Sequence, residues 1–328
     1  MINDNIFENE NTDVAFVVYD IAMELVKNQV DRVLSTSPFI IRGYTKHLAA
    51  TVGKNIRAKS LLVCAQNKEG LIHPNAIKFA ASIEILHLAT LVHDDVIDNA
   101  DIRRGDITLQ KKYGKRTAVI CGDYLLCMSL NLAASIPNKQ DYLDINITNY
   151  MSKVCLVELN QHINNGNYDL TILQYLKIIS GKTAALFEAS FYAGAILAEK
   201  DSKVTKKYAR LGRYIGMIFQ LTDDCMDFEA TESIAKKPVE SDYEQNVITL
   251  PLIHAFKNML DFKEQAKTNK LTRIEINDAV LKTGGIGFTR MLAKRYYNKS
   301  LLIIRELEVT EDKEKQLRSI LDKAFRVF

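Results

Sequence analysis

Apolar residues recur along this chain at helical spacing and almost nowhere alternate as a half-buried strand requires. The pattern predicts helices around 15–33, 40–65, 74–98, 116–136, 142–165, 171–198, 202–228, 248–268, 275–283 and 287–325, the last broken into two. Ten or more helices without strands predict an all-α bundle. Only five Pro and fourteen Gly occur in 328 residues, and no stretch reads as a linker. We therefore expect one helical domain over 1–328, with 1–12 as a flexible N-terminus. The most apolar segment, Ala184 to Ala198, carries Glu188 and falls short of the ~20 residues of a membrane span, so it reads as a core helix.

Composition narrows the function classes. The chain is 47% hydrophobic and 25% charged, enough for a large core, and its net charge of +3 with no basic stripe among aromatics argues against nucleic acid. The N-terminal Met1-Ile2-Asn3-Asp4-Asn5 has no basic region followed by an apolar one, which predicts no signal peptide and a cytoplasmic location. Cys64, Cys121, Cys127, Cys155 and Cys225 form no CxxC pair and no even disulfide framework, as expected of a reducing compartment.

The candidate chemistry lies in two copies of one acidic pattern, Asp94-Asp95-Val96-Ile97-Asp98 and Asp223-Asp224-Cys225-Met226-Asp227. Residues four apart share a helix face, so Asp94 with Asp98 and Asp223 with Asp227 make two carboxylate ladders. Stacked like charges destabilise a helix unless a cation lies over them, and hard oxygen donors with room for water suit Mg²⁺. A solvated acidic face is the bland alternative. The apolar runs Ile83 to Val92 and Ile215 to Leu221 lead directly into the acids and argue instead for the mouth of a pocket.

Basic groups accompany the acids. Arg103 and Arg104 follow the first cluster before Gly105, and guanidinium pairs bind phosphate oxygens bidentately. Taken alone they fit a salt bridge to the acids equally well. Lys54 and Arg57 lie one turn apart after Gly53, and His87 lies about two turns before Asp94. Lys182-Thr183 follows Ser180-Gly181 and reads in isolation as an ordinary helix start. Two acidic ladders with dispersed cations describe room for two polyanions.

With these residues in place, the chain resembles the trans-isoprenyl diphosphate synthase (polyprenyl synthetase) family, long-chain branch. Asp94 to Asp98 followed by Arg103-Arg104-Gly105 looks like the family's first aspartate-rich motif, and Gly216 to Asp227 is similar to its second. The resemblance implies that Asp94, Asp95, Asp98, Asp223, Asp224 and Asp227 hold Mg²⁺, about three ions per site, against an allylic diphosphate. It implies Arg103, Lys182 and Lys237 as further contacts to that diphosphate. Lys54, Arg57, His87 and Arg104 are implied for isopentenyl diphosphate, and Thr183, Gln161 and Gln220 for the reacting centre. The implied fold is an all-α barrel of about ten core helices around a deep central cavity. A homodimer is implied, or a pairing with a small regulatory subunit, with apolar helices 116–136 and 142–165 as candidate faces.

The family's Gly-Gly-Lys-x-x-Arg-Pro stands here as Val52 to Ala58, without one Gly and the Pro, and a family Lys is replaced by Val247. Chain length is expected to depend on Ala89 and Thr90, one turn below Asp94, with Leu86 and Ile83, and Met128 and Leu132 on the neighbouring helix, deeper. Small residues at 89 and 90 resemble the long-chain branch and suggest about six to eight isoprene units. Farnesyl or geranylgeranyl diphosphate is the expected starter. The alternatives are the large subunit of a two-component hexa- or heptaprenyl synthase, a short-chain synthase, a terpene cyclase, or a non-catalytic helical subunit. Lys54, Arg57 and His87 argue against the cyclase, and the six acids against the last.

Overall fold

The computed structural model describes residues 16–49, 53, 55–103, 105–137, 147–229, 246–269 and 271–326, of which 147–149 by backbone alone. Within them the chain forms fifteen helices and one two-stranded ribbon. The elements are α1 (Tyr19–Ser35), α2 (Phe39–Ala49), α3 (Ile56–Cys64), α4 (Pro74–Ile97), β1 (Ile102–Arg103), β2 (Asp106–Ile107), α5 (Leu109–Tyr113) and α6 (Lys115–Ala134). They continue as α7 (Ile147–Asn164), α8 (Ile172–Lys182), α9 (Ala184–Ala198), α10 (Ser202–Glu229), α11 (Leu250–Asn258), α12 (Leu260–Thr268), α13 (Arg273–Thr283), α14 (Gly285–Glu306) and α15 (Glu311–Phe325). The all-α expectation holds.

Three expected helices are divided. The stretch 40–65 breaks before Asn55, which takes a left-handed conformation (φ 49°) and starts α3. The stretch 171–198 breaks at Thr183, which caps the end of α8, so Lys182-Thr183 is a helix end and not a helix start. The stretch 248–268 breaks at Met259, whose φ of −133° and ψ of 84° are not helical. The break expected within 287–325 falls between Glu306 and Glu311. Local chemistry sets several other ends. Thr171 with Gln174 and Thr272 with Glu275 form capping boxes, and Gly284 ends α13 at φ 71°.

The chain divides into two units, 1–147 with 190–208 and 309–313, and 148–189 with 209–308 and 314–328. In the first, α4 lies at the centre and packs on α6, α1 and α3. Its core joins Leu61, Ile72, Ile85, Val92, Leu125 and Leu132. By length and composition α4 and α6 would suffice to cross a membrane, unlike the shorter Ala184–Ala198. Core helices meet the same criterion, and α4 carries thirteen buried residues. Lys313, only 3% exposed, donates to the carbonyls of Cys64 (3.0 Å) and Gln66 (2.7 Å) and so satisfies the end of α3. In the second unit, α11 packs on α13 and α14 around Leu250, Leu252, Phe256, Ile276 and Val280.

Several helices keep apolar side chains on the surface; among them Leu156, Leu159 and Ile163 follow one face of α7, and Val119 and Ile120 lie on α6. Gly194 shows how tightly the first unit is closed. A Cβ there would lie 2.2 Å from the carbonyl oxygen of Leu61. Gly194→Ala is therefore expected to lower stability by about 1–3 kcal/mol, read as a lower urea midpoint at unchanged m-value.

Candidate active site

The first acidic cluster ends α4. Asp94 is half-buried, Asp98 is exposed, and Asp95 between them is buried. The helix stops because Asn99 turns left-handed (φ 53°), with the Asp98 N–H still donating to the Asp94 carbonyl at 2.8 Å. The chain then folds back in the β1–β2 ribbon, which pairs Ile102 with Ile107 and Arg103 with Asp106, with Gly105 at φ 90° in the connection. That reversal returns Arg103 to the helix, where its Nε donates to Asp95 Oδ1 at 2.5 Å. Burial raises the Asp95 pKa, and the Arg103 guanidinium opposes that shift without cancelling it. A narrow pocket beside this pair is lined by His47, Leu88, Leu91, Val92 and Ile107. His93 is steadied from α6 by Asp123 at 3.2 Å, and Gly122 leaves the room its ring occupies, since a Cβ there would lie 2.5 Å from Nε2.

The second cluster lies on α10, in the other unit. Asp223 is exposed, Asp227 half-buried, and Asp224 is only 2% exposed. Both Asp224 oxygens are engaged: Gln220 Nε2 donates to Oδ1 at 2.7 Å, and the Tyr175 hydroxyl makes a short bond to Oδ2. Gln220 in turn accepts from the Thr183 hydroxyl at 2.6 Å. Thr183, Gln220, Asp224 and Tyr175 thus form one polar chain between α8 and α10. Burial pushes the Asp224 pKa up to about 7, against the opposing pull of the Tyr175 and Gln220 hydrogen bonds. Beside this chain, Lys182 donates to Glu158 of α7 at 2.8 Å. Gly181 permits that approach, because a Cβ there would lie 2.2 Å from Cγ2 of Val157.

These positions bear on each residue expected from the sequence. Thr183 and Gln220 meet directly. Gln161 lies on α7 three residues beyond Glu158, half-buried. Arg57 and His87 are half-buried on α3 and α4 of the first unit. Ile83, Leu86 and Ala89 are buried, with Ile83 and Ala89 in the same core as Met128 and Leu132, while Thr90 is half-buried and bonds to the His87 carbonyl at 2.8 Å. Lys54, Arg104 and Lys237 lie outside the described residues. Glu158, Tyr175 and Arg326, which donates to Asp223 at 2.6 Å, were not anticipated. The three-residue spacing of Glu158 from Gln161 was a signal available for the first; Tyr175 and Arg326 are remote in sequence from the acids they bind.

The donor set suits a divalent hard cation. Each cluster presents two carboxylates one turn apart, Asp94 with Asp98 and Asp223 with Asp227, and turns its middle acid inward. Among the described residues no group of three His, Cys, Asp or Glu side chains is assembled for a metal. Hard carboxylate oxygens of this kind suit Mg²⁺, which keeps several waters and is held through one or two carboxylates together with substrate phosphates.

Comparison with known proteins gives the family. The model of the polyprenyl synthetase family matches residues 39–282. The chain belongs to the polyprenyl synthetase family. It is 33% identical to heptaprenyl diphosphate synthase component 2 of Bacillus subtilis, over 89% of this chain and 87% of that one. The crystal structure of heptaprenyl diphosphate synthase from Staphylococcus aureus superposes with a TM-score of 0.85 at 30% identity, covering 95% of this chain and 99% of that one. A polyprenyl synthase from Caulobacter crescentus, crystallised with calcium and isoprenyl diphosphate, reaches 0.83 at 26% identity over 93% and 94%. As a member of this family the chain is a prenyltransferase that condenses isoprenoid diphosphates, and the family works with a divalent metal.

The buried carboxyl makes a pH dependence. Its folded pKa of about 7 stands above the ordinary Asp value of about 4, so the stability it contributes is complete below about pH 4 and is lost as pH rises through about 7. The metal-free chain should therefore lose stability as pH rises from about 4 to about 7, with little further loss from this group above that. Asp224→Asn should flatten that decline in urea midpoints measured across the range.

Proposed function

We propose that this chain is the catalytic large subunit of a two-component, Mg²⁺-dependent synthase. It would extend an allylic diphosphate, farnesyl or geranylgeranyl, with successive isopentenyl diphosphates to a trans product of about seven isoprene units. The likeness to component 2 of the Bacillus subtilis heptaprenyl synthase over nearly the whole chain carries this reading. The exposed apolar face of α7 supports it, since a partner subunit is what would cover Leu156, Leu159 and Ile163. The same face would serve a homodimer, which is the second reading. We take 1–328 as one functional domain working in the cytoplasm.

When bound, the magnesium would neutralise the departing diphosphate and so ease breakage of its bond to the allylic carbon. Asp94, Asp98, Asp223 and Asp227 are the residues we assign to hold it. Asp95 and Asp224 belong to the same motifs, and we assign them the orientation of Arg103 and Gln220. Arg103, Lys182 and Lys237 are the proposed contacts to the allylic diphosphate. Lys182 projects from the break between α8 and α9, where Glu158 restricts its direction. Thr183, Gln220 and Gln161 are assigned to the reacting carbons, with Thr183 and Gln220 held in one orientation by their mutual bond. Lys54, Arg57, His87 and Arg104 are assigned to isopentenyl diphosphate. Ile83, Leu86, Ala89 and Thr90 are assigned to limiting the growing tail, which has to stay dry because water would quench the cation.

Two experiments test this. The purified chain alone, given Mg²⁺, farnesyl diphosphate and labelled isopentenyl diphosphate, should incorporate little label, and adding the small subunit from the same cells should yield a product of about seven units. A long-chain product from the chain alone would overturn the two-component reading and establish a self-sufficient synthase instead. In the active assembly, Ala89→Phe should shift the product distribution to shorter chains, as resolved by thin-layer sizing of dephosphorylated products. An unchanged distribution in a folded variant would remove Ala89 from the length-setting residues.

A further inference from the structure

Arg326 follows directly on the end of α15 and takes φ 52°, a left-handed conformation uncommon for a side chain of this size. Its Nη2 donates to Asp223 Oδ1 at 2.6 Å, and its guanidinium lies 5.6 Å from the centre of the Phe219 ring, one turn before Asp223. Both neighbours are braced. Phe219 packs against Phe187 with ring centres 5.8 Å apart, and Phe325, the residue before Arg326, packs against Tyr297 at 4.9 Å. The last turn of the chain is therefore fastened where its arginine meets the outward acid of the second cluster.

We propose that Arg326 is the metal-free counter-ion of the second acidic cluster and competes with the divalent cation for Asp223. This rests on the reading that Asp223 and Asp227 hold Mg²⁺. A guanidinium and a magnesium ion call on the same carboxylate oxygens, and Mg²⁺ demands oxygen ligands at about 2.1 Å in near-octahedral geometry. Two positive charges brought to one carboxylate repel each other, so the metal and the guanidinium now on Oδ1 weaken each other's hold on Asp223. Metal loading thus loosens the Arg326–Asp223 pair, and the end of α15 keeps only the contact with the Phe219 ring among the two that Arg326 makes to α10. The pair offsets the repulsion between Asp223 and Asp227, one turn apart, while no cation is bound. Arg103 on Asp95 is the corresponding counter-ion in the first cluster, but it meets the inward acid, so the two arginines differ in what a metal does to them.

The test is isothermal titration of the full chain with Mg²⁺ in the presence of inorganic diphosphate, on wild type, Arg326→Ala and Arg326→Lys. An exposed ion pair is worth at most about 1 kcal/mol, so Arg326→Ala should bind about two- to fivefold more tightly, with Arg326→Lys between it and wild type. Hydrogen exchange of the C-terminal peptide should speed up on loading in wild type and already be fast in Arg326→Ala. Equal or weaker binding by Arg326→Ala, or terminal exchange indifferent to loading, would overturn the proposal while leaving the metal site intact. Binding that survives unchanged in Asp223→Asn, or is absent from wild type, would overturn the metal reading and this proposal with it.

Discussion

Carboxylates placed at the inner ends of apolar helices constrain everything around them. Two acids one turn apart repel each other, and a third between them is turned toward the protein interior, where an unsatisfied charge is costly. In both clusters the middle acid is buried and bonded, Asp95 to Arg103 and Asp224 to Gln220 and Tyr175. The outer acids remain toward solvent or half-buried. A repeated five-residue pattern thus yields the same division twice, with one acid turned inward and bonded and two set one turn apart on the outer side.

The anchors require close helix contact, and glycine supplies it. Gly181 lets α8 approach Val157 so that Lys182 reaches Glu158, and Gly122 makes room for the His93 ring. Gly216 lets α10 lie against Ala184 and Phe187, since a Cβ there would meet the Ala184 Cα at 2.5 Å. That contact sets α10 against the start of α9, close to Thr183, and Gln220 follows one turn beyond Gly216. The polar chain from Thr183 to Tyr175 depends on backbones that a single methyl group would push apart.

Much of the fold was legible because helical periodicity is a local signal. The stretches leading to Asp94 and Asp223 are helical and apolar as expected, and the broken final segment divides where expected. The divisions at Asn55, Thr183 and Met259 were not legible. Asn55 takes φ 49°, Met259 leaves helical dihedrals, and Thr183 ends α8 with its hydroxyl on Gln220, thirty-seven positions away. The β1–β2 ribbon escaped notice because its two-residue strands are too short for alternation to register.

The sequence alone determined the chemistry on offer: six carboxylates in two clusters, the cations that accompany them, and helices to carry both. These follow from residue type and helical spacing, which need no knowledge of the rest of the chain. Only the tertiary structure decided which acid of each cluster faces inward, that Glu158 holds Lys182, and that Tyr175 and Arg326 close on Asp224 and Asp223. Those choices depend on which helix lies against which, and helical periodicity marks the face that is buried without recording the neighbour that covers it.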